Sequence, residues 1–205
     1  MNRYTKLIMR KVILLAGFFY SITLLQSKAQ IHFGLNGGAN FTTLSTVAVE
    51  RDRWESGLGF RAGGFSEVPF GKFGLHLEAD YSFVGISGLF DDHVSLHYVS
   101  LPLNLYYQPI KRLKILAGPE FNFLIGQDGP TYQASYGTDD AFKKFEYGIH
   151  AEVEFLVAQR LGISLRNYFG LQSSGKVDPT RPQRLNGPYK LNILGLGLNY
   201  YLKRS

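Results

Sequence analysis

From residue 31 onward the chain alternates apolar and polar positions with period two, in one run after another, and no stretch carries the 3.6-residue period of an amphipathic helix. Over 31–42 the odd positions Ile31, Phe33, Leu35, Ala39 and Phe41 are apolar, while His32, Gly34, Asn36, Gly38, Asn40 and Thr42 fill the even ones. A strand built this way has one greasy face and one that is polar or bare. Similar runs follow over 56–68, 72–85, 94–108, 113–126, 144–158, 161–171 and 189–202, so eight strands account for most of the chain after residue 30. Phe65 is an exception on the polar side of the second run. Pro102 cannot donate to a ladder, so a bulge or local gap is expected there in the fourth.

Alternation alone fits a soluble sandwich as well as its inverse. Three features favour the inverse, with the greasy face outward. The polar side is rich in Gly and the apolar side in large residues, which suits a narrow interior. Phe or Tyr stands towards one or both ends of nearly every apolar face, where the aromatic girdles of a membrane barrel belong. The runs are also long enough for the nine to eleven residues, roughly, that a tilted strand needs to cross a bilayer. In lipid every backbone polar group needs a partner within the protein, so such a sheet must close on itself. The fold expected is all-β: an eight-stranded antiparallel up-and-down transmembrane β-barrel, its interior just wide enough for side chains to fill.

The connections carry an independent signal. They alternate in length, with long ones at 43–55, 86–93, 127–143 and 172–188 and short ones at 69–71, 109–112 and 159–160. Outer-membrane barrels have short periplasmic turns and longer external loops, and an even strand count puts both termini on the periplasmic side.

Charge at first suggests an anionic partner, since 22 Lys and Arg stand against 16 Asp and Glu. Residues 1–29 hold Arg3, Lys6, Arg10, Lys11 and Lys28 with no acid, an apolar run over 12–25, and small residues Ser27 and Ala29 before the expected cleavage point. This is the pattern of a secretory signal peptide, and the run is too short to span a bilayer as a helix. The domain is then 30–205, where 17 bases balance 16 acids, and the argument for nucleic acid falls away. With no Cys, disulfides, Cys-ligated metal sites and cysteine nucleophiles are excluded.

Several segments resemble the small outer-membrane β-barrel proteins of the porin-family or PorT-like kind: GLNGGANFTTL (34–44), GFRAGGFSEVPF (59–70), HLEADYS (76–82), YVSLPLNLYY (98–107), LAGPEFNFLIG (116–126) and LGLGLNYYL (194–202). The resemblance spans the whole region after residue 30 in order. It implies an integral barrel of eight strands in the outer membrane of a Gram-negative bacterium, inserted among outer-membrane lipids by the assembly machinery, with some PorT-like members implicated in secretion or assembly. It brings no catalytic motif.

The polar face gathers Arg61, Glu67, His76, Glu78, Asp80, Glu120, Glu146, His150, Glu152, Glu154 and Arg166. Charges in a narrow barrel are costly unless paired, so a lumen network of Arg with carboxylates is expected. The excess of acids leaves a weakly cation-selective path as an alternative. His76, Glu78 and Asp80 share a face, as do His150, Glu152 and Glu154, but i and i+2 side chains on a strand stand too far apart for one ion without ligands from other strands. Neither a metal nor a cofactor is expected. His93 and His97 have the i, i+4 spacing of a helical zinc site, yet nothing helical surrounds them, and they are expected in a loop. Gly57-x-Gly59-x-x-Ala62 imitates a dinucleotide fingerprint but is itself strand-like. A lipid-modifying enzyme would draw on Ser82, Ser87, Ser100 or Ser164 with His76 or His150 as base, and no local motif supports one, so no enzyme is expected. A binding surface for an envelope or extracellular protein is expected in the long loops, at Trp54, Tyr132, Tyr136, Arg181 and Arg184.

Overall fold

The computed structural model describes residues 31–46, 55–89, 92–128, 142–174 and 189–203. The eight runs become eight strands: β1 (His32–Thr46), β2 (Glu55–Phe70), β3 (Phe73–Leu89), β4 (Asp92–Ile110), β5 (Leu113–Asp128), β6 (Phe145–Leu156), β7 (Leu161–Gly170) and β8 (Tyr189–Lys203). Each pairs antiparallel with its neighbours in chain order, and β1 pairs with β8, so the sheet is a closed barrel. Closure leaves no unpaired edge, which is the condition for a sheet surrounded by hydrocarbon.

Parity sorts the side chains as the pattern dictates. In β6, Glu146, Gly148, His150, Glu152 and Glu154 point inward while Phe145, Tyr147, Ile149, Val153 and Phe155 point out. The outer surface is an apolar band in which Leu58, Leu105, Leu165 and Leu196 are each more than half exposed. No monomer keeps so continuous an apolar belt in water. Stacked rings mark both margins: Phe73 on Tyr107 with centroids 4.9 Å apart near the turns, and Phe60 on Phe83 at 5.4 Å near the opposite end.

Short connections gather at one end of the barrel, here the turn end, at residues 71–72, 111–112 and 157–160. Gly71 opens the first with φ of 72°, at the position where the favoured two-residue hairpin turns need a positive φ. Connections at 47–54, 129–144 and 171–188 lie at the other, loop end.

Two expectations need correction, and a third is met in one of its two forms. The connection placed at 86–93 is mostly strand, since β3 runs to Leu89 and β4 begins at Asp92. The inward parity of His76–Ser82 continues through Val84 and Ile86, and Val94 and Leu96 meet them inside the barrel, so the hairpin is held together beyond its polar residues. His93 and His97 accordingly both lie in β4 rather than in a loop. Pro102 produces a gap without a bulge. The β3–β4 pairs pass from Leu77–Leu103 to Asp80–Ser100 in constant register, and the shifts within the β4–β5 pairing fall at His97/Tyr98 and Tyr107/Ile110.

Candidate functional site

The interior of the barrel is the densest chemistry in the molecule. The eleven residues expected on the polar face, Arg61, Glu67, His76, Glu78, Asp80, Glu120, Glu146, His150, Glu152, Glu154 and Arg166, all lie inside and are nearly or fully buried. They form three tiers along the axis.

The tier nearest the turns centres on Glu67. Lys114 Nζ donates to both its carboxylate oxygens at 2.5 and 2.6 Å, and Tyr201 donates to Glu154 at 2.8 Å. Lys114 also sits over the Tyr201 ring, 4.7 Å from its centroid. His76 links this tier to the next, with Nδ1 2.9 Å from Glu67 Oε1 and Nε2 2.8 Å from Glu78 Oε1. Two donors towards two carboxylates are what an imidazolium supplies. Phe65 stacks on His76 at 5.0 Å and meets Tyr201 edge-on at 5.0 Å, so the apparent exception in the sequence pattern is a buried ring packed against this tier. Leu156 completes that apolar cluster.

The middle tier is organised by two arginines. Arg166 Nη1 stands 3.1 Å from Glu78 Oε2 and 3.4 Å from Asp80 Oδ2, and its Nη2 donates to Glu120 Oε2 at 3.2 Å. Arg61 approaches the same Asp80 at 3.7 Å and donates to Ser164 at 3.4 Å. Asn36 donates to Glu78 and Asn199 to Glu152. The inward face can hold both guanidinium groups because β8 offers no side chains beneath them: a Cβ at Gly197 would stand 2.6 Å from Arg61 Nη2, and one at Gly195 would stand 3.0 Å from Arg166 Cγ. A cavity of about 20 Å³ beside Arg61, Asp80, Ser100, Glu120 and Tyr168 is room for one water.

At the loop-end tier Glu146 stands apart from the arginines and accepts from Tyr98 at 3.0 Å and Ser174 at 2.8 Å. Beyond it the interior turns apolar. Val84, Ile86, Val94, Leu96, Tyr98, Phe142, Tyr168, Leu191 and Ile193 form one buried cluster across the barrel. The polar core thus carries a small apolar cluster beside its turn-end tier and an apolar plug towards the loops.

The single-strand triplets do not converge as drawn. Glu78 of β3 instead comes together with His150 and Glu152 of β6, with ligand atoms within 4.8 Å of one another. Arg166 already neutralises Glu78, and His150 Nδ1 meets the Asn104 amide at 2.8 Å, so this trio belongs to the ion-pair network. Of the serines considered as nucleophiles, Ser82, Ser100 and Ser164 are buried in the lumen. Both ring nitrogens of His76 face carboxylates, and His150 lies between Asn104 and Glu152.

Sequence reading missed Lys114, whose position next to the Lys111–Arg112 turn hides its inward parity, and the supporting Asn36, Asn104, Tyr98 and Tyr201. Extending the even-position pattern of 118–122 back by two steps would have found Lys114. On the outside, Tyr81 and His97 Nδ1 are 2.6 Å apart, and His97 Nε2 is 3.1 Å from Asp128, a chain in the loop-end girdle. The loop residues Trp54, Tyr132, Tyr136, Arg181 and Arg184, and the segment 1–29, lie outside the described residues.

Residues 25–175 match the family model for the outer membrane protein beta-barrel domain. Among solved structures, Neisserial surface protein A aligns over 82% of this chain and 96% of its own with a TM-score of 0.57 at 13% identity. Ail of Yersinia pestis aligns over 83% and 98% with a TM-score of 0.46 at 10% identity, and OprG of Pseudomonas aeruginosa over 86% and 98% with 0.45 at 12%. At these identities the likeness is one of fold. No curated protein matches the sequence.

Proposed function

Because the chain belongs to the family of outer membrane protein β-barrel domains, we propose that it is an integral envelope barrel that acts through its surfaces, with the lumen as a structural core rather than a pore or an active site. The observation that carries this reading is a lumen filled by buried, mutually paired side chains and stopped near the loops by the apolar cluster around Val84, Ile86 and Leu96. A network of buried ion pairs beneath an apolar plug stiffens and specifies the barrel, and offers ions no continuous polar path. The histidines point to the same conclusion, since neither His76 nor His150 addresses a serine.

Function then resides on the rims. With the short turns in the periplasm, and with them both termini, the long loops face outward and carry Trp54, Tyr132, Tyr136, Arg181 and Arg184 to an envelope or extracellular protein partner. PorT-like participation in secretion or assembly is the specific form that the sequence resemblance favours. A photo-crosslinking residue placed in turn at Trp54, Tyr136 and Arg184 in living cells tests this: discrete adducts from those sites, and none from a site at Lys72, are expected. Loops that give no adduct while Lys72 does would contradict it.

A further inference from the structure

The charges of this protein are segregated. Of its 16 acids, Glu67, Glu78, Asp80, Glu120, Glu146, Glu152 and Glu154 are buried in the lumen, and the other nine fall in or beside the three loop-end connections and the β3–β4 hairpin tip. The turn end therefore carries no exposed carboxylate among the described residues. It does carry Lys72 in the β2–β3 turn, Lys111 and Arg112 in the β4–β5 turn, Arg160 in the β6–β7 turn and Lys203 at the end of β8, all exposed. Because strand order around the barrel follows the chain, these turns and the β8–β1 junction divide the rim into quarters, and each quarter holds at least one cation.

The cations stand at a defined depth. Phe73 follows Lys72, Ile110 precedes Lys111 and Leu202 precedes Lys203, and these apolar neighbours are 54%, 60% and 53% exposed on the outward belt. A cation one residue beyond the last lipid-facing side chain lies at headgroup level, where a long side chain reaches phosphate while its stem stays in the apolar margin. The rim is also concave between turns. A cleft of about 570 Å³ is bounded by Lys111, Arg112 and Arg160 and lined by Leu156, Val157 and Ala158. Its neighbour, of about 620 Å³, lies between Lys72 and Lys111.

We propose that the turn-end rim is a docking surface for anionic phospholipid headgroups, with the cleft between Lys111, Arg112 and Arg160 as its main phosphate site. Basic side chains make charge-assisted hydrogen bonds to phosphate, and the guanidinium groups do so in bidentate fashion. A lipid is favoured over an acidic protein because the cations continue directly from the lipid-facing belt and are spread round the whole circumference, as a surrounding leaflet is. The assignment rests on the reading that the turn end lies in the phospholipid leaflet facing the periplasm.

Native mass spectrometry of the full-length protein, released from micelles holding equal amounts of phosphatidylglycerol and phosphatidylcholine, tests it. The wild type should retain phosphatidylglycerol selectively. Each cation beside an anionic surface contributes about fivefold, so the K111Q/R112Q/R160Q variant should lose at least tenfold of that selectivity, while K143Q/K144Q, altered at the loop end, should keep it. Heat-modifiable migration shows that both variants are folded barrels. Equal retention of the two lipids by the wild type, or unchanged selectivity in the triple variant, overturns the proposal. Displacement of the lipid by inorganic phosphate at equal concentration marks a general anion site and overturns it too. Labelling of a Q159C variant in intact cells reads orientation separately: labelling from outside defeats the periplasmic reading, whatever the micelle result.

Discussion

Lys114 of β5 and Glu67 of β2 form a two-pronged ion pair across the lumen, with Nζ 2.5 and 2.6 Å from the two carboxylate oxygens and both residues almost wholly removed from solvent. The pair ties opposite walls of the barrel, and Tyr201 of β8 joins it by accepting from the same Nζ at 2.7 Å. Removing one partner of a buried pair leaves the other charge without compensation.

Lys114→Met should therefore lower stability by about 3 kcal/mol, whereas Lys114→Met with Glu67→Gln should recover most of that loss, because a buried pair exchanged as a unit is close to neutral. Urea unfolding of the refolded barrel in detergent, followed by the heat-modifiable band, gives the double-mutant cycle. A loss in the double variant equal to the sum of the losses of Lys114→Met and Glu67→Gln taken singly would show that the pair is not coupled.

The glycines of β8 should prove to be spaces shaped for arginine. Gly197→Val places branched carbons where Arg61 Nη2 now lies, and Gly195→Val does the same beside Arg166 Cγ. Each should cost about 1–3 kcal/mol as overpacking in the same urea assay. Gly64→Ala is the control, since its added carbon would meet only Gly34 O at 3.4 Å and a Leu35 methyl at 4.0 Å. A control as damaging as Gly197→Val would reject this account of the inner face.

The outer belt predicts a cost that depends on depth. Leu165 and Leu196 pair across β7 and β8 in the middle of the span, and both are more than half exposed. Arginine at Leu196 should cost about 2–4 kcal/mol in a bilayer, and at Ile110, next to the turn, no more than about 1 kcal/mol. Unfolding titrations in phospholipid vesicles measure both. Equal costs at the two sites would mean that the belt does not lie in hydrocarbon.

Much of this architecture was legible in the alternation. The parity that assigns Glu152 and Glu154 to the interior is the same one that sends Val153 and Phe155 outward, and with connections of unequal length it yields strand number, closure and which end carries the short turns. The ends of the lumen were not legible, because period-two reading stops where the polar residues stop. Val84, Ile86, Leu96 and Ile193 hold inward parity but are apolar, so a polar-in, apolar-out rule gives them no place and reads the β3–β4 hairpin as a loop. Phe65 misled for the same reason at the other end. Which charges meet depended on the curvature of the barrel: Arg166 and Asp80 lie 86 positions apart and on strands that do not pair, and only closure brings them within 3.4 Å. The serines and histidines that a sequence can suggest as catalytic are separated by that same geometry, each histidine being occupied by carboxylate or amide groups.

Conductance is the most direct measure of whether the interior is a sealed core. The full-length barrel, reconstituted in a planar phospholipid bilayer under an applied potential, should give no unitary current steps, and the membrane should stay at its background leak as more protein is added. Regular cation-selective steps that shrink when Glu152 and Glu154 are both changed to Gln would contradict the account, for they would show that ions pass the apolar plug at Val84, Ile86 and Leu96 and run through the lumen network.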